Sequence, residues 1–230
     1  GGSSPAASVT TLTPGGLRGR LAGQLVIDPG VVVKLLGSRI ELERGASQLI
    51  AEGTAEKPIQ FTSLNDDQFG AGGTFDTGGN GSTTPAAADW GGLIFNAVSG
   101  ASLDHTHIAY GGGTVPIEGA FDQFNTIEIH QADVRITNST LENNASGLAS
   151  STRNGRGTND SGTIFVRGAQ PTIVNNILVN NAGSAISINA NSQTSDQHPD
   201  NGRTTGTIQS FGLFDDNSGP LVRLNQLENN

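Results

Sequence analysis

Ile136-Thr-Asn-Ser-Thr-Leu-Glu-Asn-Asn144 and Ile173-Val-Asn-Asn-Ile-Leu-Val-Asn-Asn181 align almost residue for residue, 37 positions apart. Each holds one apolar position at its start, another five residues later, and then a polar pair. The pattern extends in both directions. The first apolar position recurs as Leu103, Ile136, Ile173 and Ile208, the second as Ile108, Leu141, Leu178 and Phe214. The polar pair recurs as Tyr110-Gly111, Asn143-Asn144, Asn180-Asn181 and Asp216-Asn217, in steps of 33, 37 and 36 residues. Ahead of each unit stands a third apolar stretch: Leu93-Ile94-Phe95, Ile127-Glu128-Ile129, Ile164-Phe165-Val166, Ile186-Ser187-Ile188 and Val222-Arg223-Leu224.

Further out, helical periodicity is almost absent. The first 61 residues carry alternating pairs instead: Leu25-x-Ile27, Val31-x-Val33, Ile40-x-Leu42, Leu49-x-Ala51 and Ile59-x-Phe61. Period-2 alternation bounded by Gly, Pro, Asp or Asn reads as short strands. Three short strands per repeat with a polar turn at a fixed place are the signature of a coil whose repeats stack. The expectation is an all-β chain forming a right-handed parallel β-helix, a solenoid of about six to seven coils. A β-sandwich would need hairpin turns, and Asn-Gly or Asp-Gly between paired strands is scarce. Stacked turn Asn side chains can hydrogen-bond up and down the column, and Asn tolerates the left-handed backbone of a tight corner. Asn143, Asn144, Asn180, Asn181, Asp216 and Asn217 therefore read as a structural turn column, an asparagine ladder. Residues 1–16 read as a linker and 17–230 as the solenoid. Gly1-Gly2-Ser3-Ser4 and the lack of Met read as a piece of a longer chain or a mature product, cut at its C-terminus through a continuing coil.

Four stretches interrupt the repeat: 64–88, 112–126, 149–162 and 190–206. The first three fall at the same place in the repeat and should emerge along one corner. A solenoid's insertions often bind, although a solvent-facing corner also tolerates them freely.

Composition excludes several classes. Gly supplies 33 of 230 residues, about twice the ~7% average, and only 14% are charged against a usual ~25%. There is no Cys, so no disulfide or thiolate metal site. The net charge of -9, with Lys34 and Lys57 the only lysines, argues against a phosphate-tracking nucleic-acid binder. No apolar run approaches the ~20 residues of a spanning helix, so membrane insertion by a helix is not expected.

The segments Leu25-Val-Ile-Asp-Pro-Gly-Val-Val-Val-Lys34, Leu49-Ile-Ala-Glu-Gly-Thr54, Lys57-Pro-Ile-Gln-Phe-Thr-Ser63 and Asp89-Trp-Gly-Gly-Leu-Ile-Phe95 resemble the parallel β-helix modules of large bacterial surface and secreted proteins, such as those of planctomycetes and cyanobacteria. The resemblance covers roughly residues 17–230. It implies an extracellular, cell-surface stalk or adhesin-like segment and transfers no catalytic residue. The long 64–88 stretch before Trp90 departs from the pattern. Pectin-active enzymes share the fold, but their Gly-His-Gly and Arg-x-Lys motifs are absent. Asp66-Asp67 and Asp215-Asp216 are adjacent residues, which point to opposite faces of a strand and so do not make a dyad.

Some residues could still carry chemistry. Asn65, Asp66, Asp67 and Asp76 could offer hard oxygen ligands to calcium, without an EF-hand spacing. His105 and His107 share a face if extended, as a zinc pair would, but His105 aligns with the turn residues Asn138 and Asn175. Asn96, His130, Arg167 and Asn189 form an outward column beside Ile94, Glu128, Phe165 and Ser187. Cover by an insertion is expected there, with Phe75, Phe121 and Phe124 available. Asn80, Asn138, Asn144 and Asn159 begin glycosylation triplets.

The functional expectation is a non-enzymatic extracellular segment of a larger protein. Its partners would be adjacent coils of that protein or other copies end to end, and surface glycans. The alternative is a carbohydrate-active enzyme or glycan-binding module. A trimeric virion spike is a third use of such a coil.

Overall fold

The computed structural model describes residues 23–42, 46–70, 75–117, 119–147, 159–189 and 219–230. Among them every regular element is a strand. The chain winds as coils of three strands. The first coil is β1 (Gln24–Ile27), β2 (Val32–Leu35) and β3 (Ile40–Leu42), and the second β4 (Gln48–Glu52), β5 (Ile59–Ser63) and β6 (Leu93–Phe95). The third holds β7 (Gly100–Asp104), β8 (Thr106–Ala109), a hairpin of β9 (Thr114–Ile117) and β10 (Ala120–Gln123), and β11 (Ile127–His130). The fourth is β12 (Asp133–Thr137), β13 (Thr140–Glu142) and β14 (Ile164–Arg167), the fifth β15 (Thr172–Val174), β16 (Ile177–Val179) and β17 (Ile186–Asn189). The sixth contributes β18 (Leu221–Arg223) and β19 (Gln226–Glu228).

Every strand outside the hairpin pairs in parallel with its counterparts in the neighbouring coils. Sheet A runs β1-β4-β7-β12-β15-β18, sheet B β2-β5-β8-β13-β16-β19, and sheet C β3-β6-β11-β14-β17. The chain is thus a parallel β-helix of six coils, and parallel crossovers are right-handed in about 98% of cases. Register is strict. Ile27, Ala51, Leu103, Ile136, Ile173 and Val222 form one column of sheet A. Val33, Phe61, Ile108, Leu141, Leu178 and Leu227 form one column of sheet B. Sheet C contributes Leu42, Phe95, Ile129, Val166 and Ile188. These columns meet in one core, where Phe61, Phe95, Leu103, Ile108, Ile136 and Leu141 are fully buried. Each such side chain contributes about 1.5–3 kcal/mol, through contacts with the coil above and the coil below.

The five early strand pairs expected from alternation are all present. One expectation needs correction. The repeat aligns Val222-Arg223-Leu224 with Leu93-Ile94-Phe95, but β18 pairs with β15 in sheet A, not with sheet C. Insertions are present where coils 2, 3 and 4 pass from sheet B to sheet C, at 64–92, 110–126 and 143–163. They share one corner, as expected. The fourth interruption lies at a different corner, between β17 and β18. Ile208, Phe214, Asp216, Asn217, most of 190–206 and the 1–16 linker lie outside the described residues.

The hairpin covers one of the two outward apolar residues of sheet C, Ile94; the other, Phe165, is buried with its ring 5.6 Å from that of His130. Phe124, Val115 and Ile117 pack on Ile94 in a second, smaller core. Phe75 and Phe121, expected to share that role, are 53% and 70% exposed. Arg39 holds the hairpin down. Its guanidinium lies 4.8 Å above the Phe124 ring, donates to the Pro116 carbonyl at 2.6 Å and pairs with Glu41.

Candidate functional site

Two corners of the coil are built alike. At each, one residue adopts a left-handed backbone, and the next faces the stack, with its side chain where it has one and with its backbone N–H at Gly111. At the corner leaving sheet B these pairs are Tyr110-Gly111, Asn143-Asn144, Asn180-Asn181 and Asn229-Asn230, with φ between 51° and 64° at the first member. Asn144 Oδ1 accepts from the Gly111 N–H at 2.7 Å, and its Nδ2 donates to the Ile108 carbonyl at 3.0 Å. Asn181 repeats this on Asn144 and Leu141, while Asn230 Oδ1 accepts from the Asn181 side-chain amide and its Nδ2 donates to the Leu178 carbonyl. Of the expected column, Asn144 and Asn181 bond from coil to coil, while Asn143 and Asn180 hold the left-handed turns before them. The next rung of the column is Asn229-Asn230, the register place assigned to Asp216-Asn217 from the repeat length.

The second ladder lies at the corner between sheets A and B. His105, Asn138, Asn175 and Leu224 take the left-handed position, with φ between 47° and 57°. Thr106, Ser139, Asn176 and Asn225 follow and turn inward. Asn176 Oδ1 accepts from the Ser139 N–H at 3.0 Å, and Nδ2 donates to the Ile136 carbonyl at 3.0 Å. Asn225 repeats this on Asn176 and Ile173. The signal was in the sequence: Asn138-Ser139, Asn175-Asn176 and Leu224-Asn225 each stand five residues before an Asn-Asn pair.

His105 is therefore a corner residue, and it does not share a face with His107. Its Nδ1 lies 3.0 Å from Asp104 Oδ2. Burial pushes the Asp104 carboxyl up, but hydrogen bonds from Thr137, His105 and Asn138 outweigh it and hold it below the ordinary carboxylate value. His107 sits on the outer face of sheet B. Its Nε2 lies 2.8 Å from Glu142 Oε1 and its Nδ1 2.5 Å from Gln60 Oε1. Beside it Tyr110 is half-buried. Burial first, then the nearby carboxylates of Asp66, Glu142 and Asp89, raise the phenol above its usual value.

The Asp-rich loop is organised by its own side chains. Asp66, 2% exposed, accepts from Thr62 Oγ1 and the Gln68 N–H. Asp67 Oδ2 accepts from the Thr83 N–H at 2.8 Å, while its Oδ1 is buried without a hydrogen-bond partner. Asp76 accepts from the Asn80 and Gly81 N–H groups, which hold its carboxyl below the ordinary value. Asn65 donates to Asp89, which also binds Ser63 and the Ala86 N–H. Asp66, Asp67 and Asp76 each serve a different part of the loop. Among the described residues, no group of three or more His, Asp or Glu is placed to hold a metal ion.

The outward column of sheet C is covered. Glu128, His130 and Arg167 are 0%, 1% and 4% exposed. Glu128 Oε2 lies 2.9 Å from His130 Nε2, and Oε1 accepts from the Asn125 N–H. Burial lowers the Arg167 guanidinium from its usual value. Trp90 is a core residue whose Nε1 donates to the Ala109 carbonyl at 2.8 Å. Of the glycosylation triplets, Asn144 and Asn159 are buried.

The class of protein this arrangement defines is a ladder-cornered parallel β-helix. No family model matches the chain, and no curated protein matches it. Among solved structures, QnrB1, a plasmid-mediated fluoroquinolone resistance protein, is 9% identical over 76% of this chain and 94% of that one. The TM-score is 0.13, so the likeness carries no argument.

Proposed function

We propose that the chain is a non-enzymatic, extracellular structural segment of a larger bacterial surface or secreted protein, adhesin-like in presenting loops along one corner of a rigid rod. The observation that supports it is the stack itself. Its polar corner side chains are spent on hydrogen bonds between coils, and three of its four insertions gather where sheet B passes to sheet C. The test is an antibody against this chain, applied to intact and to permeabilised cells of the source organism and to its medium. Labelling of intact cells or the medium is expected. Labelling of permeabilised cells alone would overturn the proposal.

One observation favours the second reading, a carbohydrate-active or glycan-binding module. His107 Nε2 lies 2.8 Å from Glu142 Oε1 on the outer face of sheet B, with the Phe69 ring 6.4 Å from the imidazole. A screen against polyuronic substrates tests it. Turnover lost in His107→Ala would replace the structural reading with this one.

A further inference from the structure

The insertion that follows β5 carries a reactive pair. Asn80 and Gly81 are adjacent and both exposed, and the space where a Gly81 side chain would stand is open. Gly81 has φ of 80°, a left-handed conformation that glycine adopts without strain. An asparagine followed by glycine can cyclise on its own backbone. The Gly81 nitrogen gives up its proton and bonds to the Asn80 side-chain carbonyl carbon, and the side-chain nitrogen leaves as ammonia. Water then opens the five-membered imide at either carbonyl, which leaves aspartate or its β-linked isomer. Glycine has no Cβ to obstruct the attack, so the groups around the pair set the rate.

Asp76 binds the atom that must react. Its Oδ2 accepts from the Gly81 N–H at 2.8 Å and its Oδ1 from the Asn80 N–H at 3.1 Å. The N–H that has to ionise is therefore bound to an anion, and a neighbouring negative charge disfavours loss of its proton. The same bond restrains the peptide unit that closes the ring. Hydrogen bonds from Asn80 and then Gly81 hold the Asp76 carboxyl below the ordinary value, so the clamp is charged at neutral pH. The leaving group is held as well, since Asn80 Nδ2 donates to Asn65 Oδ1 at 3.4 Å. The rest of the loop is tied elsewhere, Thr83 to Asp67 and the Phe75 carbonyl to Lys34 Nζ.

We propose that Asn80 is a site of spontaneous modification to aspartate or isoaspartate, and that Asp76 is the residue that restrains it. While the clamp holds, Asn80 keeps its amide. Once the clamp opens, conversion is one-way, because the ammonia is lost. The product puts a carboxylate where an amide donated to Asn65, so the bond to Asn65 Oδ1 is not remade. The insertion thus carries a one-way chemical switch. The chemistry is the same wherever the chain resides, so it stands apart from the surface reading.

The test is incubation at mildly alkaline pH and physiological temperature, read at Asn80 by peptide mapping with mass spectrometry. The reference is a synthetic peptide of residues 77–83, which holds the pair but not Asp76. The parent chain is expected to convert about tenfold or more slower than the peptide, the size of effect that one hydrogen bond to a charged group supplies. Asp76→Ala should approach the rate of the peptide. Asp67→Ala loosens the loop at Thr83 and leaves the clamp in place, so it should stay at the rate of the parent. Thermal melts check that both variants keep the coil. A parent chain that converts as fast as the peptide overturns the proposal. So does an Asp76→Ala chain no faster than the parent, or an Asp67→Ala chain as fast as Asp76→Ala, which would make general order in the loop the restraint.

Discussion

At a ladder corner, two neighbouring asparagines have opposite duties. Asn143 holds a left-handed turn, with φ of 56°, while Asn144 bonds the coils on either side. Replacing Asn144 with Ala leaves the Gly111 N–H and the Ile108 carbonyl buried without partners, each costing roughly 1–3 kcal/mol. Asn144→Ala should therefore lower stability by about 3 kcal/mol in a urea melt, while Asn143→Gly should change it by less than about 0.5 kcal/mol. The third corner offers the reverse case. Val98 has φ of 60°, a conformation that β-branched side chains resist. At the matching place stand Gln131, also left-handed, and Gly168. Val98→Gly should raise stability by about 1 kcal/mol, because it removes strain from a partly exposed site. A lower melting temperature would show that Val98's packing outweighs its strain.

The elements divide between those the sequence made legible and those it hid. Inward positions were readable because period-2 alternation follows from which face of a strand is buried. Repeat length alone misplaces the last coil. Strand pairing sets the register, and a corner can accept an insertion of any length at small entropic cost. The better signal was local: Leu227-Glu-Asn-Asn230 repeats Leu141-Glu-Asn-Asn144, 49 residues after Leu178-Val-Asn-Asn181. The outward side of sheet C was legible as unusual, but its cover was not. Alternation says nothing about what a loop folds back upon, and one of three candidate phenylalanines turned out to serve. Phe124→Ala should cost about 3–4 kcal/mol, whereas Phe121→Ala should fall within about 0.5 kcal/mol of zero. In the Asp-rich loop, each carboxylate already accepts from its own neighbours. Calcium, followed by chelator, should leave the melting temperature unchanged. A rise of several degrees would mean that the loop rearranges around an ion, with the buried Asp67 Oδ1 as the first ligand to test.

At the scale of the whole molecule, three carboxylates among the described residues, Glu52, Asp76 and Asp104, are shifted the same way. Glu52 is held below its ordinary value by a hydrogen bond from Ser102 and then by Arg135, and Asp104 and Asp76 also lie low. A depressed folded-state pKa adds stability that is present above the unfolded pKa and lost as pH falls through the folded one. Melting temperature should therefore hold from neutral pH to the ordinary carboxylate range and drop below it. Asp104→Asn should flatten that acid limb. An acid limb as steep as the parent's would show that Asp104's shift does not contribute.

The two ladders do not run the length of the rod. They link the third coil to the sixth, through Thr106, Ser139, Asn176 and Asn225 and through Gly111, Asn144, Asn181 and Asn230. The matching corners of the first coil are Asp28-Pro29-Gly30 and Leu36-Gly37. Under tension applied between its two ends, such a molecule would come apart like a zip with one weak end. The first two coils would peel away at low force, and the laddered coils would then yield together at a higher one.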